Sequence, residues 1–235
     1  DAVGKPAKHL CGHHGHLAAL AGIMLRCATI ARNGEADFPM PLTFIVEKGE
    51  EKPPGGMKTL IEKDALGGIS ELYAAHAYPR FPTGFFSLCP GPFSTYAVMW
   101  MYEAKGVSGH MVASHLIRNP IYPTARATLL MDSLMRQWLS GQVKPGQPWT
   151  QGGGSTGFIE GGIREALNVP PTEAATGGAL GVFRPEVYRG LKDAFDEQMP
   201  GTNDDPQIKI KHAITPVYIP VVNDQAAVDL LAQVV

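Results

Sequence analysis

What is scarce in this chain narrows its class first. Its 235 residues contain no apolar run approaching the roughly 18 to 20 residues that a membrane span requires, so no membrane is expected as partner. The start at Asp1 shows no basic-then-apolar leader pattern. Cysteine is sparse. Cys11, Cys27 and Cys89 form neither an even set nor a C-x-x-C pair, which argues against a disulfide framework and makes a reducing, cytoplasmic setting the default expectation. An excess of either charge is missing too. Twenty basic against 22 acidic residues leave a formal net charge of −2, so the basic footprint that nucleic acid demands is absent. A neutral small molecule suits that balance better. Because the first residue is Asp rather than Met, the true beginning is expected to lie upstream.

What is present is a chain with 44% hydrophobic residues, enough for one large domain or two modest ones. Residues 17–32 are rich in Ala, Leu, Ile and Met and end on Asn33-Gly34, which predicts a helix with a glycine stop. Residues 42–46 form a short apolar, β-branched run and predict a buried strand, which empties into an acidic loop at 47–51. A helix over 57–63 and a second strand over 72–75, ending at His76, follow. Strand and helix in alternation predict an α/β layer with a mostly parallel sheet.

Pro90-Gly91-Pro92 interrupts this pattern, since two prolines and a glycine continue neither a central strand nor a helix. Beyond it the sequence predicts a strand at 95–104, a helix at 123–139, a glycine-interrupted strand at 173–183, a helix at 185–198 and a strand at 207–214. In the last of these, Ile208, Ile210 and His212 alternate with Lys209 and Lys211, giving one apolar and one lysine face. A small sheet covered by two helices is the expected α+β unit. The glycine run at 152–154 receives no assignment, because glycine weakens a strand.

Three groups of residues carry chemistry. Residues 9–16 pack His9, Cys11, His13, His14 and His16 just ahead of the first helix, and imidazole and thiolate are the ligands that zinc and similar divalent ions prefer. Taken alone, this is equally a His-rich surface loop. Glu50-Glu51 follows the first predicted strand. Two adjacent carboxylates repel, and a cation offsets that cost, so one could bind metal while the other moves protons; a solvated acidic loop is the competing reading. His76 ends the next predicted strand and would face the same sheet edge.

With these residues in place, the chain resembles the M20 metallopeptidase family, in its amidohydrolase branch of hippurate hydrolase and indole-acetyl-amino-acid hydrolase types. Residues 9–16 match that branch's H-x-C-G-H-D-x-H, with His14 where Asp is usual. Residues 44–56, with Glu50-Glu51 and Gly55-Gly56, resemble its strand and A-E-E-G-G; His76 begins an H-x-x-P; Pro90-Gly91-Pro92 resembles its P-G-P. Gly109-His110 with Ser114-His115 is similar to G-G-H-A-x-x-P-H, Asn168 begins an N-x-I-P-like stretch, and residues 220–224 resemble P-x-V-N-D. The resemblance implies an α/β catalytic domain over 1–93 and 217–235, interrupted at 94–216 by a βαββαβ, ferredoxin-like lid that forms a homodimer.

It further implies that Cys11, His13, Glu51 and His76 hold one or two divalent ions of zinc or manganese type, with Glu50 as general base. His110 would stabilise the oxyanion and Asn168 would bind substrate. The implied activity is cleavage of the amide bond in N-acyl or N-aminoacyl amino acids, or short peptides. Family members are longer, so the chain is expected to be truncated at both ends, and Gly181 stands where the family often has an arginine. A non-catalytic relative or fragment serving as a binding or oligomerisation module is the alternative.

Overall fold

The structure is a computed structural model that describes residues 11–51, 55–78, 81–139 and 152–235. These fall into two compact units, Asp1–Ser87 and Leu88–Val235.

In the first unit, α1 (His13–Asn33) covers the predicted helix and extends it at its start. Gly34 closes it at φ 65°, where its N–H returns to the Ala31 and Ile30 carbonyls, a left-handed stop that glycine adopts without a Cβ clash. The second helix, α2 (Gly55–Glu62), begins two residues earlier than expected. The strands predicted at 42–46 and 72–75 are the main departure. Neither joins a ladder among the described residues, and every ladder that is present is antiparallel. The mostly parallel sheet is therefore not found there. A strand needs a hydrogen-bonded neighbour and a covering layer, whereas Leu42, Val46 and Leu72 are 53%, 61% and 60% exposed. None of the described residues of this unit is buried.

The core lies in the second unit. Its principal strand, β2 (Tyr96–Lys105), sends Val98, Trp100, Tyr102 and Ala104 to one face and leaves Met99 and Met101 exposed on the other, the two-residue alternation of a half-covered sheet. Helix α3 (Ile121–Leu139) brings Met131 and Leu134 onto that face, and α4 (Pro185–Gln198) brings Leu191 and Phe195. Strand β2 pairs antiparallel with β4 (Glu173–Val182) on one side and with β5 (Lys209–Tyr218) on the other. As the alternation predicted, Lys209 and Lys211 are exposed while Ile208 is buried and Ile210 and His212 are partly buried.

A strand also forms where none was assigned. β3 (Gly152–Gly161) pairs with β4 and completes a sheet of order β3-β4-β2-β5, so the elements run β-α-β-β-α-β. Glycine is required by close approach here: a Cβ on Gly154 would lie 2.5 Å from Leu180 Cβ and 2.9 Å from Met135 Sδ. The predicted small sheet with two covering helices is thus present, with one strand more than the sequence pattern disclosed.

A short ribbon of β1 (Gly91–Pro92) with β6 (Val222–Asn223) and the last helix α5 (Gln225–Leu231), capped by Asp224 accepting from Ala227 N–H at 3.0 Å, belong to the same unit. Among the described residues, no helix is long and apolar enough to cross a membrane.

Candidate metal centre

Three short stretches of the first unit supply the centre. Cys11 precedes Gly12, whose φ of 83° turns the chain into α1, a conformation that costs a side-chain-bearing residue about 1 kcal/mol or more. That turn sets Cys11 and His13 on either side of one glycine. The loop at 47–51 is held by Glu47, whose Oε1 accepts the Met57 N–H at 2.9 Å and so satisfies a donor in the first turn of α2. A Cβ on Gly56 would lie 2.5 Å from the Lys48 carbonyl oxygen. The glycine pair therefore lets α2 close against the loop that carries the two carboxylates. The third stretch is His76-Ala77.

The side chains converge. Cys11 Sγ lies 3.3 Å from His76 Nε2, and His13 Nε2 lies 3.5 Å from Glu50 Oε2 and 3.7 Å from Glu51 Oε1. Two triads, Cys11-His13-His76 and His13-Glu50-Glu51, each keep their ligand atoms within 4.8 Å of one another and share His13. His76 Nδ1 donates to the Ala77 carbonyl at 2.7 Å, which leaves Nε2 as the nitrogen facing the thiol.

His16, one turn along α1, accepts the Ala77 N–H on Nε2 at 2.7 Å and packs its ring 4.4 Å from that of His76. Burial lowers the His16 imidazole below its ordinary value, helped by His76, His13 and His14 and opposed by Glu50, consistent with its role as a neutral acceptor. Burial raises the Cys11 thiol, and the Glu51 and Glu50 carboxylates push it further in the same direction.

The donor set fits a divalent cation. A thiol, two imidazoles and two carboxylates, gathered in two triads that share His13, match the S, N and O ligands of a borderline-soft ion. Two carboxylates beside a thiol that must ionise to bind also gather negative charge, which a dication would neutralise. His14 is exposed and belongs to neither triad, and His9 lies outside the described residues.

His110 and Asn168 belong to the second unit, in two excursions stitched together by Met111 N–H to Asn168 O at 3.1 Å and Ser108 Oγ to Pro170 O at 2.6 Å. His110 Nδ1 accepts from Val112 N–H at 3.3 Å and caps the short 3-10 turn Met111–Leu116. Both residues are exposed. Sequence reasoning brought out the residues of the two triads but gave no role to Glu47, His16 or Ala77. The separation of His13 and His16 by three positions, which puts them on one helix face, was the available signal for His16.

Comparison with known proteins agrees with the family resemblance. The profile of peptidase family M20/M25/M40 matches residues 7–235. The chain is 26% identical over 223 residues to the N-acetyldiaminopimelate deacetylase of Exiguobacterium sibiricum, covering 94% of this chain and 56% of that one. To the N-acetyl-L-cysteine deacetylase of Bacillus subtilis it is 26% identical over 191 residues, covering 81% of this chain and 42% of the relative. Among solved structures, the Bacillus subtilis YXEP protein, a dinuclear metal binding peptidase from the M20 family, superposes with a TM-score of 0.66 at 20% identity over 96% of this chain and 54% of that one. The chain spans about half the length of the curated relatives it matches.

Proposed function

The chain belongs to peptidase family M20/M25/M40, and from that premise we propose that it serves the hydrolysis of the amide bond in N-acyl or N-aminoacyl amino acids. The observation that carries this reading is the convergence of Cys11, His13 and His76 with Glu50 and Glu51 through a shared His13. In it, Cys11, His13, Glu51 and His76 hold one or two zinc- or manganese-type ions, which fits their donor chemistry. Bound there, such an ion supplies Lewis acidity and lowers the pKa of water toward neutrality.

Glu50 is the base. Its Oε2 stands 3.5 Å from His13 Nε2, beside the proposed ligands, and the family resemblance gives the ligand role to Glu51. Its carboxylate accepts a proton from the attacking water and returns it to the amine as the amide breaks, so acid and amine products balance. His110 is assigned the role of donor to the developing oxyanion, a role taken from the family resemblance, in which a preorganised donor lowers the barrier. Asn168 holds the carbonyl or carboxylate of the substrate with its side-chain amide. The reading assigns residues 1–93 and 217–235 to the catalytic domain and 94–216 to a ferredoxin-like lid through which two chains pair. The β-α-β-β-α-β order and the strand order β3-β4-β2-β5 support that lid.

The test is metal content of the purified chain together with turnover of an N-acyl amino acid by wild type and Glu50→Gln. Near-stoichiometric metal in both proteins, with turnover reduced on the order of 10²- to 10⁴-fold in the variant, is the expected result. Absence of metal, or turnover indifferent to Glu50, would instead leave the chain a binding or oligomerisation module.

A further inference from the structure

We propose that His16 is a positioning residue of the metal centre, acting through the Ala77 peptide groups to fix where His76 stands. The inference rests on the ligand set proposed above and adds a residue to it. Ala77 is gripped at both of its backbone polar groups: its N–H donates to His16 Nε2 at 2.7 Å, across 61 positions, and its carbonyl accepts from His76 Nδ1 at 2.7 Å. The second bond sets the tautomer of His76, leaving its Nε2 lone pair 3.3 Å from Cys11 Sγ. The first sets where that ring lies along α1.

Ala77 also lodges against the glycine turn, since a Cβ on Gly12 would meet Ala77 Cβ at 3.6 Å and His16 Nε2 at 3.9 Å. The turn bearing Cys11 and His13, the first turn of α1 and the His76-Ala77 segment thus touch at one place.

The bond matters because little else among the described residues holds that segment. Residues 72–78 join no strand ladder, and none of the described residues of the first unit is buried. Where a sheet would ordinarily fix a ligand at the end of a strand, here a side-chain acceptor supplies the register. His16 is part of neither triad; its Nε2 is committed to a peptide N–H and is not offered to an ion. Groups that orient a metal-binding histidine from behind in this way typically alter metal affinity 10- to 100-fold when removed.

The probe is cobalt(II), titrated into the full chain and followed by its thiolate charge-transfer and d–d absorption, with His16→Leu and His16→Gln as variants. Glutamine places an amide oxygen near the position of Nε2 and can accept the same N–H. His16→Leu is expected to keep the Cys11 charge-transfer band, bind cobalt roughly 10- to 100-fold more weakly and show shifted d–d bands. His16→Gln is expected to recover affinity to within a few-fold.

A leucine variant that titrates like wild type overturns the proposal. So does loss of one imidazole ligand from the cobalt spectra of both variants, which would make His16 a ligand. Wild type that takes up no cobalt overturns the ligand set itself and this inference with it. A readout free of both metal and mutation is the two-bond ¹H–¹⁵N spectrum of wild-type histidine rings. Hydrogen on Nδ1 of both His16 and His76 is expected, and hydrogen on Nε2 of His16 overturns the proposal even if the leucine variant fails to fold.

Discussion

Cys11 is the residue whose environment is easiest to interrogate in isolation. Burial and the two neighbouring carboxylates hold its thiol above its ordinary value, so the metal-free chain carries less thiolate at a given pH than an unperturbed thiol would. Its alkylation rate is expected to keep climbing after free cysteine, with a pKa of about 8.5, has levelled off. Stoichiometric zinc is expected to stop the reaction, because the ion occupies the sulfur. Mass spectrometry of iodoacetamide-treated protein across pH, with and without zinc, measures both. At this scale the sequence was informative wherever chemistry is written in residue type: thiol, imidazole and paired carboxylate at characteristic spacings disclosed Cys11, His13, Glu50, Glu51 and His76. It was silent on Glu47 and Ala77, because a carboxylate that satisfies a distant helix turn and a peptide group that meets a side chain have no signature in residue type.

Among the elements, α3 and α4 meet where Gly190 faces the ring of Trp138, and a Cβ on Gly190 would run into that ring. Gly190→Ala is therefore expected to destabilise the second unit by about 1 to 3 kcal/mol through overpacking. That outweighs the roughly 1 kcal/mol that alanine gains over glycine as a helix former; urea unfolding midpoints decide the sign. In β2, Tyr102 is fully buried, with its hydroxyl 2.9 Å from Thr202 Oγ1. Burial raises its phenol above the ordinary value, against the pull of that hydrogen bond and of Arg126.

The unfolded chain then ionises first. The stabilisation is complete below pH about 10 and is lost as pH rises from there through the folded-state value. Tyr102→Phe should remove this part of the alkaline loss, seen as a flatter dependence of the urea midpoint on pH. The helices and the strands β2, β4 and β5 were legible because their side chains alternate or recur toward a covering layer. β3 was not, since five of its ten residues are glycine and the packing it makes is defined by the Cβ atoms it lacks.

The whole molecule divides its stability unevenly. Among the described residues, every member of the hydrophobic core lies between Val98 and Ile214, while the first unit carries the proposed ligands on helices and loops with no buried residue. Local opening follows burial, so limited proteolysis of the metal-free chain is expected to cut within the described residues of 11–87 before it cuts the described helices and strands of the second unit. Zinc should slow the early cuts by binding the closed arrangement. Equal cutting rates in the two units would refute the division. The parallel sheet read from residues 42–46 and 72–75 failed at this scale and no other. The local pattern was that of buried strands, but a strand exists only through partners, and its own residues do not say whether those partners are present.

The position of β2 in the sheet has one more consequence, for the chain as it is made. Its neighbours β4 and β5 both come later, the second beginning about a hundred residues after β2 ends. At synthesis rates of about 5 to 20 residues per second, the nascent β2 keeps an edge unpaired for roughly 5 to 20 s. That interval on the ribosome, more than any surface of the finished fold, governs how readily β2 finds the wrong partner.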